Sequence, residues 1–436
     1  MLAHADNIVS IAPAAVATPR PLAEERPVNF WLLGYIALLP YQYAVIHDAR
    51  VGIADACLFA YLIFNASRIR LRPEAWRIWH FALMVLFAVG LLVSALREGA
   101  VTPYQYLNKG FGLLTLFAAY AMITSEVESW GQLRQVMRVF VLGVTLQNAV
   151  ALAALLASYV AKMQFSFINY DNERLSGFLY DPNAYGGLLV VALAFNLVGG
   201  SGSVAVTRGL LRLFCNMTLA LGIVFTFSRS AWMALVATWL LYLVFQPKMA
   251  AKTLGIVAAG LPLLVVLIGL GLLSPKRMLD RPDTIQQRVG LINDSLIQFE
   301  KHPVFGMGLG EFRAAEGLIV HNTPLWFLAD FGLVGLGVFI GFVGWFFVAG
   351  FKTYLVAAQV GKSYVVGLLA AHCGMLGLSM GIEGFYQRHW WLCFALIAAA
   401  AAVARNVPAA IQRAPVGQMR ARTWRPAAAA YGRHRA

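Results

Sequence analysis

The sequence predicts an all-α integral membrane protein with about 12 transmembrane helices and one large loop on its outer side. Three observations lead there. Of the 436 residues, 60% are hydrophobic and only 12% are charged, with a mean hydropathy of +0.69, far from the composition of a soluble globular domain. Apolar runs of about 17 to 25 residues recur along the chain, the length a helix needs to cross about 30 Å of hydrocarbon, whereas a β-barrel shows alternating segments of about ten. Basic residues gather in every second loop, as they do when a chain crosses a membrane repeatedly.

Residues 1–27 hold prolines, alanines and mixed charges without an apolar core, so they read as a loose tail and not as a signal peptide. Residues 28–273 contain nine spans, near 28–46, 51–66, 76–96, 106–124, 135–161, 184–199, 209–227, 230–246 and 253–273. The stretch 209–246 must be two of them, since a single helix of that length would rise to about 55 Å; the break falls at Phe227-Ser228-Arg229-Ser230. Residues 274–323 form the large loop, and 324–404 supply three further spans, near 324–350, 360–381 and 389–404. Residues 405–436 are a basic tail carrying seven arginines, read as a topology signal and not as a nucleic-acid contact. Cys57, Cys215, Cys373 and Cys393 all lie in apolar runs, so neither disulfides nor a zinc site is expected.

An even number of spans puts both termini on one side. That side collects Arg68, Arg70, Arg72 and Arg77, then Arg134 and Arg138, Arg208 and Arg212, Lys248 and Lys252, and Lys352 and Lys362. With the tails it holds 21 of the 34 lysines and arginines but only six of the 20 acids, which makes it the cytoplasmic side. The polar oddities then fall on the outer face: Arg174 with "SGFLYDPNAYG", Arg229 in "FSRS", Arg288, Arg313, His321 with Asn322, and Arg388-His389 in "YQRHWW".

Within the outer loop, Asp283 is a candidate cap for a helix whose Ile285, Val289, Ile292, Leu296 and Phe299 advance by three or four, with Arg288 on a flank. Such a helix either lies on the membrane or packs on other loops. "VFGMGLGEF" follows as a glycine-rich turn; its Gly-x-Gly lacks the preceding strand and the lysine of a phosphate-binding loop. Pro324 fits a first helical turn with Thr323 as its cap, which puts His321 just outside a helix N-terminus, where imidazolium is disfavoured and an anion favoured. A neutral imidazole accepts a proton. Arg229, between two apolar spans, is a functional candidate by position, and several guanidinium groups on one face suit a pyrophosphate. The plainer alternative pairs each arginine with a local acid: Arg174 with Glu173 or Asp171, Arg313 with Glu311 or Glu316, Arg388 with Glu383. Asp171-Asn172-Glu173 has an acid-x-acid spacing used for divalent ions, but no second carboxylate cluster accompanies it, and no catalytic metal is expected.

"HPVFGMGLGEF" followed by "HNTPLWFLADFGLVGL", with "RLSGFLYDPNAYG" and "FSRS" upstream, resembles the O-antigen ligase and polysaccharide polymerase superfamily over roughly residues 170 to 345. The resemblance implies a bacterial inner-membrane enzyme with a large periplasmic loop. It implies transfer of a finished O-antigen glycan from undecaprenyl pyrophosphate to the lipid A-core oligosaccharide, without metal, nucleotide or other cofactor. His321 matches the family's proposed general base, and Arg288 and Arg229 match its pyrophosphate-binding arginines. Arg174, Arg388, Arg313, Asn322 and His389 are further substrate-binding candidates. The implied partners are the lipid-linked donor, the lipid A-core acceptor and membrane lipid, with no nucleic acid. A repeat-unit polymerase of the same superfamily would show the same motifs. A lipid-linked glycan transporter is the reading from another class; it requires ionisable residues near mid-membrane, where His372 and His80 are the main candidates and Asp55, Asp330 and Lys109 lie nearer the ends.

Overall fold

The computed structural model describes residues 26–42, 51–165, 167–169, 174–200, 202, 204–251, 255, 266, 269 and 282–406. Within them the chain forms α1 (Phe30–Leu38), α2 (Ile53–Asn65), α3 (Ile78–Glu98), α4 (Tyr104–Glu126) and α5 (Trp130–Ala161), then a short hairpin. In the hairpin, β1 (Ile168–Asn169) runs antiparallel to β2 (Arg174–Leu175). Next come α6 (Pro182–Leu197), α7 (Gly209–Phe225), α8 (Arg229–Phe245), α9 (Pro282–Lys301), α10 (Glu311–Glu316), α11 (Thr323–Val356), α12 (Gln359–Ser379) and α13 (Arg388–Asn406). Helices occupy the expected apolar runs except the ninth, 253–273, most of which lies outside the described residues, as do the first tail, the basic tail beyond residue 406 and the Asp171-Asn172-Glu173 triplet. Among the described residues four helices, α3, α4, α5 and α11, are long and apolar enough to cross a membrane, and α6, α7 and α8 are shorter apolar helices. The chain is an all-α, multi-pass membrane protein.

Small residues bring helices close where lipid supplies no hydrophobic drive for association. α12 packs most extensively on α8, and an added Cβ at Gly377 would stand 3.0 Å from the Met233 carbonyl oxygen. The expected break between α7 and α8 is present: Phe227 takes a left-handed φ of 48°, and the Ser228 side chain accepts from Ala231 N to cap α8. His372 is fully buried with both ring nitrogens engaged, Nδ1 accepting from Trp390 Nε1 at 2.9 Å and Nε2 lying 3.2 Å from the Val343 carbonyl. At the cytoplasm-assigned end of α3, His80 Nδ1 accepts from Arg77 N as a cap. His372 is accounted for by packing and hydrogen bonds, whereas His80 Nε2 is buried among aromatic rings with no hydrogen-bond partner among the described residues.

α11 is the element that positions the site. Its 34 residues would rise about 51 Å if straight, well beyond the hydrocarbon core, and it breaks at Gly332 (φ 64°, ψ −157°). The backbone groups exposed by the break are satisfied by the glycine-rich loop. Met307 N and Gly308 N donate to the carbonyls of Ala329 and Asp330 at 2.9 and 3.0 Å, while Leu333 N and Val334 N donate to those of Pro303 and Val304. Gly306 (φ 68°) lies so close that a Cβ would collide with the Asp330 carbonyl. Asp330, fully buried, accepts from Gly310 N at 2.8 Å and Trp326 Nε1 at 2.7 Å, locking the loop to the helix. "VFGMGLGEF" is therefore a turn that mends a broken helix.

Candidate active site

The break frees residues 323–331 from the axis of the following span, and their N-terminus carries His321. The cap is Asn322 and not Thr323: Asn322 Oδ1 accepts from Leu325 N at 3.0 Å, and its amide donates to the Met380 carbonyl. Thr323 instead donates from Oγ1 to the Ile382 carbonyl and accepts from Gly384 N, tying α11 to the loop before α13. His321 is thus held by the two residues that follow it while its own ring has no hydrogen-bond partner among the described residues.

The ring faces a cavity of about 520 Å³ bounded by Asp181, Glu383, Arg313, Arg388, Lys109 and Tyr104. Burial and the charge of Arg288 press its pKa below the ordinary histidine value, against the opposing pull of Asp181 and Glu383. The ring is therefore a neutral acceptor at neutral pH. Asp181 belongs here because it caps α6, accepting from Asn183 N at 2.8 Å, ahead of Pro182 at the first helical position.

α9 forms over the expected residues, but it already begins at Pro282, so Asp283 lies within it and is not its cap, and Arg288 is not on a flank. The packed face holds Arg288, Leu291 and Ser295, with α9 lying against α11, while Val289 and Leu296 are 51% and 40% exposed. That leaves Val289, Ile292 and Leu296 of the apolar stripe exposed while the opposite face packs on α11. Burial and the neighbouring Arg229 disfavour the Arg288 charge, and only Asp181 supports it; Arg288 Nε is buried without a hydrogen-bond partner among the described residues. Arg229 is exposed at the start of α8 and makes no ion pair among them. Two guanidinium groups with one carboxylate between them form a site short of negative charge.

The remaining candidates are placed differently. Arg388 lines the cavity but donates from Nη2 to buried Asp55 Oδ2 at 2.7 Å, and Glu383 is paired instead with Lys109. Arg313 pairs with neither Glu311 nor Glu316 among the described contacts; its guanidinium lies 3.9 Å over the Tyr104 ring, and Glu311 accepts from Gln105. Arg174 is buried, with Nε on the Thr226 carbonyl and Nη2 on Asn183 Oδ1, both at 2.8 Å. It ties the ends of α6 and α7 together, and Ser228 joins them by donating to the same Asn183 oxygen. His389 is fully buried and outside the cavity wall. Among the described residues no three His, Cys, Asp or Glu side chains cluster as a metal site.

Lys109 comes from a π-helical turn, Tyr104–Phe111, that opens α4, an irregularity common at functional sites. Its ammonium sits 4.6 Å from the Trp326 ring centre and 4.5 Å from that of Tyr386, as well as on Glu383. Sequence reasoning missed Asp181, Glu383 and Lys109 as members of the site. The capping pattern Asp181-Pro182 was the one local signal; the other two meet across 274 residues.

Residues 214–340 match the family model described as O-antigen ligase. That segment is similar to the O-antigen ligase superfamily. The matched segment runs from α7 to the kinked part of α11, so it contains Arg229, Arg288, Arg313 and His321 together with the glycine-rich turn. Asp181, Lys109 and Glu383 reach the matched segment from outside it. No curated protein matches the chain.

Proposed function

We propose that the protein is a glycosyltransferase of the ligase kind, moving O-antigen polysaccharide from undecaprenyl pyrophosphate to the lipid A-core oligosaccharide. In this reading about twelve spans cross the inner membrane, both termini are cytoplasmic, and the cavity opens to the periplasm. The observation that supports it is a half-buried histidine whose ring has no hydrogen-bond partner among the described residues, within reach of the charge of Arg288, which in turn neighbours Arg229 and has only Asp181 opposing it among those residues. The acceptor hydroxyl attacks the anomeric carbon opposite the leaving group, inverting it. His321 takes the hydroxyl proton as the new C–O bond forms, and the electron pair of the broken bond goes to pyrophosphate, whose growing charge Arg288 and Arg229 stabilise. No metal takes part.

The test is reconstitution of the purified protein with an undecaprenyl-pyrophosphate glycan and lipid A-core, in the presence of chelator. Glycan-capped lipid A-core is the expected product, and His321→Ala is expected to slow its formation by about 10²- to 10⁴-fold. Joining of donor repeats to one another, without capping, would assign the protein to the polymerases. Loss of activity with chelator and its return with a divalent ion would bring Asp171 and Glu173 into the mechanism. Movement of the glycan lipid between leaflets without transfer would make it a transporter.

A further inference from the structure

His321 lines the cavity and also feels the charge of Arg288, which with Arg229 lies outside the cavity wall and has Asp181 as its opposing charge. The wall itself is a second, different surface, on which Lys109 and Arg388 are already neutralised, by Glu383 and Asp55. What that second wall offers is the chemistry that holds a sugar. Glu383 gives Oε1 to Lys109, while Oε2 has no protein partner among the described residues. The Gln387 side chain lines the same cavity, with no hydrogen bond of its own among them. Tyr104 and Tyr386 supply aromatic surface for the C–H faces of a ring. Glu383 is also close enough for its charge to act on His321.

We propose that the glycan acceptor seats its terminal sugar on this wall, Glu383 Oε2 and Gln387 taking hydroxyls next to the one presented to His321, with the donor pyrophosphate on the Arg288 side. This assignment rests on the glycosyl-transfer reading and holds for a ligase and a polymerase alike. Glu383 is then a substrate-binding residue that selects the reacting hydroxyl. Lys109 is a positioning residue that fixes the carboxylate through its other oxygen.

The experiment measures initial rates of the full-length protein in proteoliposomes, varying lipid A-core at saturating donor and then the reverse. It also measures binding of undecaprenyl pyrophosphate alone to the detergent-solubilised protein. Glu383→Gln and Gln387→Ala are each expected to raise the KM for acceptor about tenfold, the loss of one hydrogen bond to a charged or polar group, with donor KM and undecaprenyl-pyrophosphate binding unchanged. Gln387→Ala disturbs no buried charge, so it serves if Glu383→Gln fails to fold. A raised donor KM or weakened undecaprenyl-pyrophosphate binding, with acceptor KM unchanged, would overturn the assignment. Failure of the glycosyl-transfer reading looks different: Arg288→Ala would then bind undecaprenyl pyrophosphate as the unaltered protein does, and no product would form with any acceptor concentration.

Discussion

A general base at the mouth of a cavity works only while it is unprotonated, so the charges around His321 should be visible in the pH dependence of the reaction. Burial and Arg288 lower its pKa, while Asp181 and Glu383 raise it. Removing Asp181 removes one of the raising influences, so Asp181→Asn should let the imidazole stay neutral to lower pH and move the acid limb of kcat/KM downward. Asn is as good a helix cap as Asp, so α6 should survive the change. The measurement is a pH–rate profile; a limb that moves upward or stays put would separate Asp181 from His321. The place of His321 just before a helix was legible in the sequence because Pro324 marks a helix start, whereas the helical period put Arg288 on a flank and not on the packed face it occupies. Asp55, the partner of Arg388, was not legible, because it lies 333 residues away and nothing local announces it. The expected neighbour, Glu383, was engaged elsewhere.

At the scale of elements, the apolar runs made most helices readable, and the serine-arginine-serine interruption correctly divided α7 from α8. The break inside α11 was not readable, because "ADFGLVGLG" interrupts the apolar pattern only with Asp330 and glycine is common in spanning helices. What identifies Gly332 is its conformation, in a region of backbone space that belongs almost to glycine alone. Gly332→Ala should therefore cost at least about 1–3 kcal/mol, with a further cost from the collision of its Cβ with the Val304 carbonyl. Gly337→Ala, where an added Cβ meets nothing within 4 Å, should be nearly neutral. Thermal unfolding of the two variants in detergent compares them directly; equal transition temperatures would mean that the break is not under strain.

The molecule as a whole should show its sidedness to a membrane-impermeant thiol reagent. In a background without the four native cysteines, Leu318→Cys near the cavity should label in intact spheroplasts, whereas Lys352→Cys at the far end of α11 should label only after permeabilisation. The reverse pattern would invert the topology. The two buried ion pairs also impose an order on how the protein is made. Asp55 and Lys109 enter the membrane early, yet Arg388 and Glu383 are synthesised 333 and 274 residues later. At about 5–20 residues per second, that interval is on the order of tens of seconds. Through all of it Asp55 and Lys109 are without the ion-pair partners they have in the folded chain. The wall that holds Glu383 and Arg388 is completed only when the final helical hairpin arrives, and a ribosome that stalls before residue 380 leaves His321 without that wall and without the anchors of Asn322 and Thr323.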